Sequence, residues 1–333
     1  MDAQTLLQQY IENKFDFSGQ ALFNLDLEGA DLIGVNLSST DLRHTNLSLA
    51  YLNRVDLQDS NLSLSNLSGA TLAQANFSRA NLTDASLHGA NLHRAILFKA
   101  NLTLADLTDA NLMEADLREI KLRSTNLTGA CLRGANLREE NRNCADLRGA
   151  ILRGVDLQGA NLRGADLSKV NLQGANLRNT NLRGANLTAA NLQGANLENA
   201  LLSEATLQEA NLSQAKLQGA KLERANLQLA QLVEAKLQDC SLVESELSQA
   251  NFQGANLYRC TLNRANLSRA NLTAVNLQEA FLIQTFLART NLTGANLTGA
   301  NLTRADWSST SLTGTVLTGA TLPDGTEYVA IEC

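Results

Sequence analysis

From Phe17 to Leu322 the chain keeps a stride of five. Leucine returns at every fifth residue and is replaced in that frame only by Phe17, Phe77, Phe252, Trp307 and Arg142. Residues 181 to 200 show the pattern plainly: NLRGA, NLTAA, NLQGA, NLENA. Two residues before each leucine stands a small residue, usually alanine (Ala90, Ala185, Ala190) and at times Val35, Thr40, Ser60 or Cys240. The residue between them is mostly Asn or Asp. On an α-helix five residues advance about 500°, roughly 140° net, so the leucines would scatter round the cylinder. On one long strand they would alternate sides. All of them can be buried together if a very short extended piece points the small residue and the leucine inward, with Asn or Asp between them facing out, and a two-residue corner follows. Repeated, this winds a coil with leucine inside and polar groups outside. Successive coils stack through parallel backbone hydrogen bonds about 4.8 Å apart. Each coil then touches only its neighbours, so the ends need caps.

Composition agrees. Hydrophobic residues make up 44% of the 333 but aromatics only 4%, which calls for an aliphatic core. The single proline, Pro323, falls where the repeat stops, as expected if every backbone donor is needed for stacking. Glycine recurs at the second corner place (Gly134, Gly154, Gly174, Gly194), where a type II turn requires positive φ. Corners with Glu119 or Arg224 at that place are expected to use another turn. No apolar run approaches a membrane span and no signal core is present, so the cytoplasm is the expected compartment. The recurring Asn-Leu-Ser/Thr triplets are glycosylation sequons only because the repeat generates them. Cys240 and Cys260, one coil apart in small inward positions, are expected to stack as reduced, alanine-like residues, while Cys131, Cys144 and Cys333 are expected to be isolated and exposed.

The spacing predicts three segments: an N-terminal capping helix in 1–15, the repeat itself in 16–322, and a C-terminal turn and closing strand in 323–333. Leu6, Leu7, Tyr10 and Ile11 fall at helical separations and form the apolar face that would cover the first coil. Tyr328, Val329 and Ile331 would cover the last. His88 and His93 occupy equivalent places on adjoining walls. With no acid or cysteine fixed beside them they read as surface residues rather than ligands, so no metal or cofactor is expected.

Charge is uneven. Between Arg118 and Arg183 twelve cations face six acids, a belt near +6 on a chain of net −6. Arg118, Arg123, Arg138, Arg163, Arg178 and Arg183 are the candidate basic belt. Clustered arginines suit carboxylate or phosphate partners. Within the belt the run Glu139, Glu140, Asn141, Arg142, Asn143 breaks the code, placing charge at inward positions. Such charges are costly to desolvate. The unit is expected to turn outward as a loop and to be the candidate protein-interaction loop; a buried Glu140 to Arg142 pair is the alternative. Farther on, Val243, Tyr258, Phe281, Ile283 and Phe286 gather as a candidate apolar self-association patch that could make the chain a homodimer.

Tandem A-[N/D]-L-X-X resembles the pentapeptide-repeat family, and the resemblance covers Phe17 to Leu322. It implies an all-β fold, a right-handed quadrilateral parallel β-helix with four units per coil; uniform coils of twenty residues would then put Arg123, Arg163 and Arg183 on one wall and Arg118, Arg138 and Arg178 on the wall beside it. About fifteen coils would make a rod roughly 70 Å long at strand spacing. Members of bacteria, cyanobacteria especially, imply a non-catalytic protein-protein interaction scaffold with roles in regulation or differentiation. Other members imply an alternative, a DNA-mimicking modulator of a type II topoisomerase that inhibits gyrase or protects it from quinolones. The residues themselves speak against an enzyme. A leucine-filled, convex coil has no concave site, and the sequence holds no Gly-rich phosphate loop and no nucleophile beside a base. The expected partner is another protein; membrane is excluded, and nucleic acid is disfavoured because exposed aromatics are absent from the belt.

Overall fold

The computed structural model describes residues 1–138 and 144–329. The chain divides into two units, Met1–Asp166 and Leu167–Cys333.

In both units the stride of five is explained by complete use of the backbone donors, seen at residues 81–85. Asn81 N–H donates to the Ser60 carbonyl of the preceding coil (2.9 Å), and Leu82 and Asp84 donate to Asn101 and Thr103 of the next (2.7 and 3.1 Å). Ala85 closes the corner on Leu82 (3.1 Å). The third N–H, of Thr83, has no carbonyl within reach and donates instead to the Asn81 side-chain Oδ1 at 3.2 Å. Asn or Asp at the outward strand place is therefore more than a solvent-facing residue: it satisfies the one donor the ladder leaves over. Its amide then links coils, as where Asn81 Nδ2 donates to Asn61 Oδ1 at 3.1 Å.

In the first unit, parallel bridges twenty residues apart define four walls. Wall 1 runs through Asp16, Asn36 and on to Asp116 and Asn136; wall 2 through Ala21, Asp41 and Lys121; wall 3 through Asp26 and Asn126; wall 4 through Asp31 and Cys131. The leucines inside are fully buried, and Phe77 takes a leucine place without exposure. Then the register lengthens. Lys121 pairs with Asp146, Asn126 with Ile151, Cys131 with Asp156 and Asn136 with Asn161, each twenty-five residues on, before Asp146 pairs with Asp166 at twenty. One unit's worth of chain is thus passed over by all four ladders.

The corners depart from expectation. Glu119 (φ 54°) and Arg224 (φ 55°) adopt the same left-handed backbone as Gly134 (φ 66°). In the described corners positive φ falls on the second residue and not the first, and the corner closes by an i to i+3 bond, the type II pattern. The reason is the ladder: the second corner N–H must reach the next coil's carbonyl whatever its side chain, so non-glycine residues accept the steric cost, about 1 kcal/mol each.

Helix α1, Ala3–Ile11, begins at Asp2, whose side chain accepts from Thr5 N–H at 2.8 Å. Leu6 is buried, Leu7 and Tyr10 are half-buried, and the first-coil residues Phe17, Leu22 and Leu27 are almost wholly covered. Tyr10 donates to Asp31 Oδ1 and the Ile33 carbonyl, both at 3.4 Å. Ile11, expected on the covering face, is 71% exposed. It lies about 140° from Leu6 round the helix, whereas Tyr10 lies about 40° away.

In the second unit the ladders run at twenty residues from Asn171↔Asn191 to Asn301↔Thr321. Glu327 pairs antiparallel with Thr321, and Tyr328 N–H donates to Ala320 at 2.8 Å. This hairpin extends a single wall and does not lie across the coil, because the turn at Pro323 to Gly325 returns the chain in the plane of that wall. Trp307, Leu312, Leu317 and Leu322 are consequently only half-buried, and Tyr328 and Val329 are exposed rather than covering them. Ile331 lies outside the described residues.

Candidate functional site

The lengthened register rearranges the basic belt. Arg163 follows Asn161 on wall 1, so it stands with Arg138 and Arg118, not with Arg123 as uniform coils would have it; Arg123 shares wall 2 with Arg148. Arg178 and Arg183, in the second unit, follow Asn176 and Asn181 on adjoining walls.

The residue two places before each arginine decides what its guanidinium does. In D-L-R units the aspartate has already accepted the arginine's backbone N–H and is placed to take the side chain as well. Arg43 clamps Asp41 in this way, at 2.8 and 2.7 Å, Arg118 clamps Asp116, at 2.8 and 2.6 Å, and Arg148 clamps Asp146, at 2.8 and 2.7 Å. The last pairing holds the Asp146 carboxyl below its ordinary range and raises Arg148. Arg118 also lies over the Phe98 ring, 5.4 Å from its centre, and Lys99 shares that ring at 4.9 Å while reaching Glu119 at 3.4 Å. Looser pairs join Arg123 to Asp146 (3.9 Å), Arg133 to Asp156 (3.8 Å) and Arg178 to Glu198 (3.7 Å). In the N-L-R units of Arg138 and Arg163 the asparagine accepts the backbone N–H, at 3.4 and 3.3 Å, but offers no charge. Both side chains are exposed, and neither has an ion pair among the described residues. Arg183 is likewise exposed and without one.

The candidate loop, Glu139 to Asn143, lies outside the described residues. Unit one has an open groove of about 560 Å³ lined by Lys99, Glu119, Ile120, Lys121, Cys144, Asp146, Arg148 and Asp166. Its charges are of mixed sign, with Lys99 paired to Glu119 and Arg148 to Asp146 and Asp166.

In the second unit the ladder Ser241↔Thr261↔Phe281 does put Val243 and Ile283 on one wall, with Asn263 between them. Phe281 and Phe286 are 47% and 52% exposed on either side of a corner. Val243, Ile283 and Tyr258 are half-buried, and Tyr258 sits on the preceding wall, donating to Glu279 at 3.2 Å. Asn263, Arg264 and Gln284 interleave with the apolar groups, so the patch is two exposed phenylalanines beside a polar-lined groove of about 280 Å³.

His88 and His93 fall on walls 3 and 4, and among the described residues no group of three or more His, Cys, Asp or Glu is placed to hold a metal ion. Cys240 and Cys260 are free and buried in the wall; Cys260 Sγ donates to the Leu237 carbonyl at 2.6 Å, and burial pushes the Cys240 thiol up. Cys131 and Cys144 are half-buried rather than exposed, and Cys333 lies outside the described residues. No helix is long and apolar enough to cross a membrane.

Comparison with known proteins agrees with this architecture. The family described as Pentapeptide repeats matches consecutive segments from residue 21 to 324, breaking after 138 and resuming at 143, where the register lengthens. No curated protein matches the chain. Among solved structures it is similar to HetL, a pentapeptide repeat protein involved in heterocyst differentiation regulation from the cyanobacterium Nostoc sp. strain PCC 7120; they are 27% identical over 98% of this chain and 100% of that one, with a TM-score of 0.17. Rfr23 of the cyanobacterium Cyanothece 51142 is 29% identical over 43% of this chain and 100% of its own, with a TM-score of 0.22. Full-length QnrB1, a plasmid-mediated fluoroquinolone resistance protein, is 19% identical over 66% and 93%, with a TM-score of 0.24. The family match over most of the sequence, together with the four-walled ladders, shows that the chain belongs to the pentapeptide-repeat family and takes its right-handed quadrilateral β-helix.

Proposed function

We propose that this protein is a non-catalytic scaffold, active in the cytoplasm, that presents rigid ladders of side chains to another protein. One observation carries the reading: leucine closes the interior of both units, so chemical variety is confined to the outward places of each wall, where side chains stand in fixed rows about 4.8 Å apart. Rigid rows suit recognition of an extended surface, because little side-chain or backbone order is lost on binding. The run Glu139 to Asn143, the arginines of wall 1 and the Phe281/Phe286 pair are the contact regions this reading nominates, the last for a second copy of the chain. The segmentation into a capping helix, a repeat and a closing hairpin belongs to the same proposal. Affinity capture with the full chain tests it. A partner retained in stoichiometric amount, and lost when outward arginines are changed but not when buried residues are conservatively changed, supports the scaffold. Capture of no protein sinks it. The topoisomerase-mimic alternative needs continuous negative potential, which the arginines of wall 1 interrupt. Gyrase supercoiling is therefore expected to be unchanged by added protein.

A further inference from the structure

We propose that Arg138 and Arg163 form the docking surface for an acidic protein segment, an extended run carrying carboxylates at alternate positions. The inference rests on the scaffold reading and gives its partner a chemistry. The two residues follow Asn136 and Asn161, which are bridged neighbours on wall 1, with Leu137 N–H donating to the Asn161 carbonyl at 2.7 Å. Their backbones are therefore about one strand spacing, ~4.8 Å, apart. Two guanidinium groups on adjacent rungs, neither ion-paired among the described residues, repel, and an anion lying across both relieves that repulsion while taking bidentate bonds from each fork.

The surroundings favour such a ligand. The next rung is closed to it, since Arg118 is half-buried and clamped by Asp116. Across the corner, Asp146 and Asp166 are both engaged by Arg148, at 2.7 and 3.9 Å, so they compete weakly for Arg138 and Arg163. The flanking corners carry Gly134, Gly159 and Gly164, which raise no side chain against an approaching backbone. Along an extended segment, side chains on one face recur about every 6.8 Å, a span that two long arginine arms rooted ~4.8 Å apart can meet. Protein is favoured over nucleic acid because Phe98, the aromatic ring on this wall, is already covered by Arg118 and Lys99, which leaves no platform for base stacking.

The test is fluorescence anisotropy with the full chain and a labelled hexaglutamate peptide, with labelled hexalysine and a single-stranded oligonucleotide as comparison probes. Arg138→Gln/Arg163→Gln is expected to weaken hexaglutamate binding by about tenfold or more. Arg43→Gln/Arg79→Gln, which removes the same net charge from arginines already held by Asp41 and Asp59, is expected to change it by less than about twofold. Equal losses in the two variants would reduce the effect to net charge and overturn the proposal. So would absence of hexaglutamate binding, or tighter binding of the oligonucleotide through the same two arginines. Matching thermal melts of the variants exclude unfolding as the cause. If hexaglutamate fails while affinity capture still retains a partner, the scaffold stands and this assignment falls; if capture also fails, both fall.

Discussion

At the residue scale, the third backbone N–H of each five is the donor that the β-helix cannot satisfy from its own carbonyls, and the Asn/Asp preference follows from it. The rule is clearest where the outward place is not Asn or Asp. Thr71 does not accept the N–H of Ala73 and Phe281 cannot accept that of Ile283, and in both cases an asparagine one coil earlier substitutes: Asn53 Oδ1 at 3.1 Å and Asn263 Oδ1 at 3.0 Å. Asn263→Ala should therefore cost about 1 kcal/mol in urea denaturation, although Asn263 is not the outward residue of Ile283's own unit. A change indistinguishable from zero would mean that water serves this N–H equally well. The corners supply a second residue-scale prediction. Gly159 sits at φ 67° with nothing within 4 Å of the place an alanine methyl would take, so Gly159→Ala should lose about 1 kcal/mol from backbone conformation alone. Exposed Leu104, at φ 63°, should show the opposite sign when changed to glycine. Thermal melts of the pair measure both.

At the element scale, the capping role proposed for α1 turns on Leu6, the buried residue of the helix. Leu6→Ala should cost about 2 to 5 kcal/mol, whereas Ile11→Ala should stay within about 0.5 kcal/mol. Equal effects would show that the helix is held by something other than the Leu6 contact. The helical spacing of Leu6, Leu7 and Tyr10 was legible in the sequence, and so was the coil, since no other periodic structure buries a residue every fifth place. The turn type at Glu119 and Arg224 was not legible from local preference. Ladder bonding outweighs the penalty for a left-handed side chain, so a residue-by-residue rule misjudges those corners. The closing strand misled for a related reason: an alternating pattern over Thr326 to Ile331 announces a strand, but not whether it extends a wall or crosses the open end.

At the scale of the molecule, two units built from one rule differ in charge: Met1–Asp166 carries a net −5 although nine of the belt's twelve cations lie in it, and Leu167–Cys333 a net −1. The belt was visible in the sequence, but which arginines share a wall was not. A passed-over stretch of five residues leaves the leucine frame unbroken, so counting fives cannot detect it. Only the change of register from twenty to twenty-five sets Arg163 beside Arg138 instead of Arg123. That change underlies the arginine pair and hence the proposed partner chemistry. It can be read directly with dibromobimane, which fluoresces when it links two nearby thiols, in a variant lacking the native cysteines. Arg138→Cys/Arg163→Cys should crosslink rapidly, and Arg138→Cys/Gln158→Cys, neighbours in a uniform twenty-residue coil, should not. The reverse outcome would contradict the register and the surface derived from it.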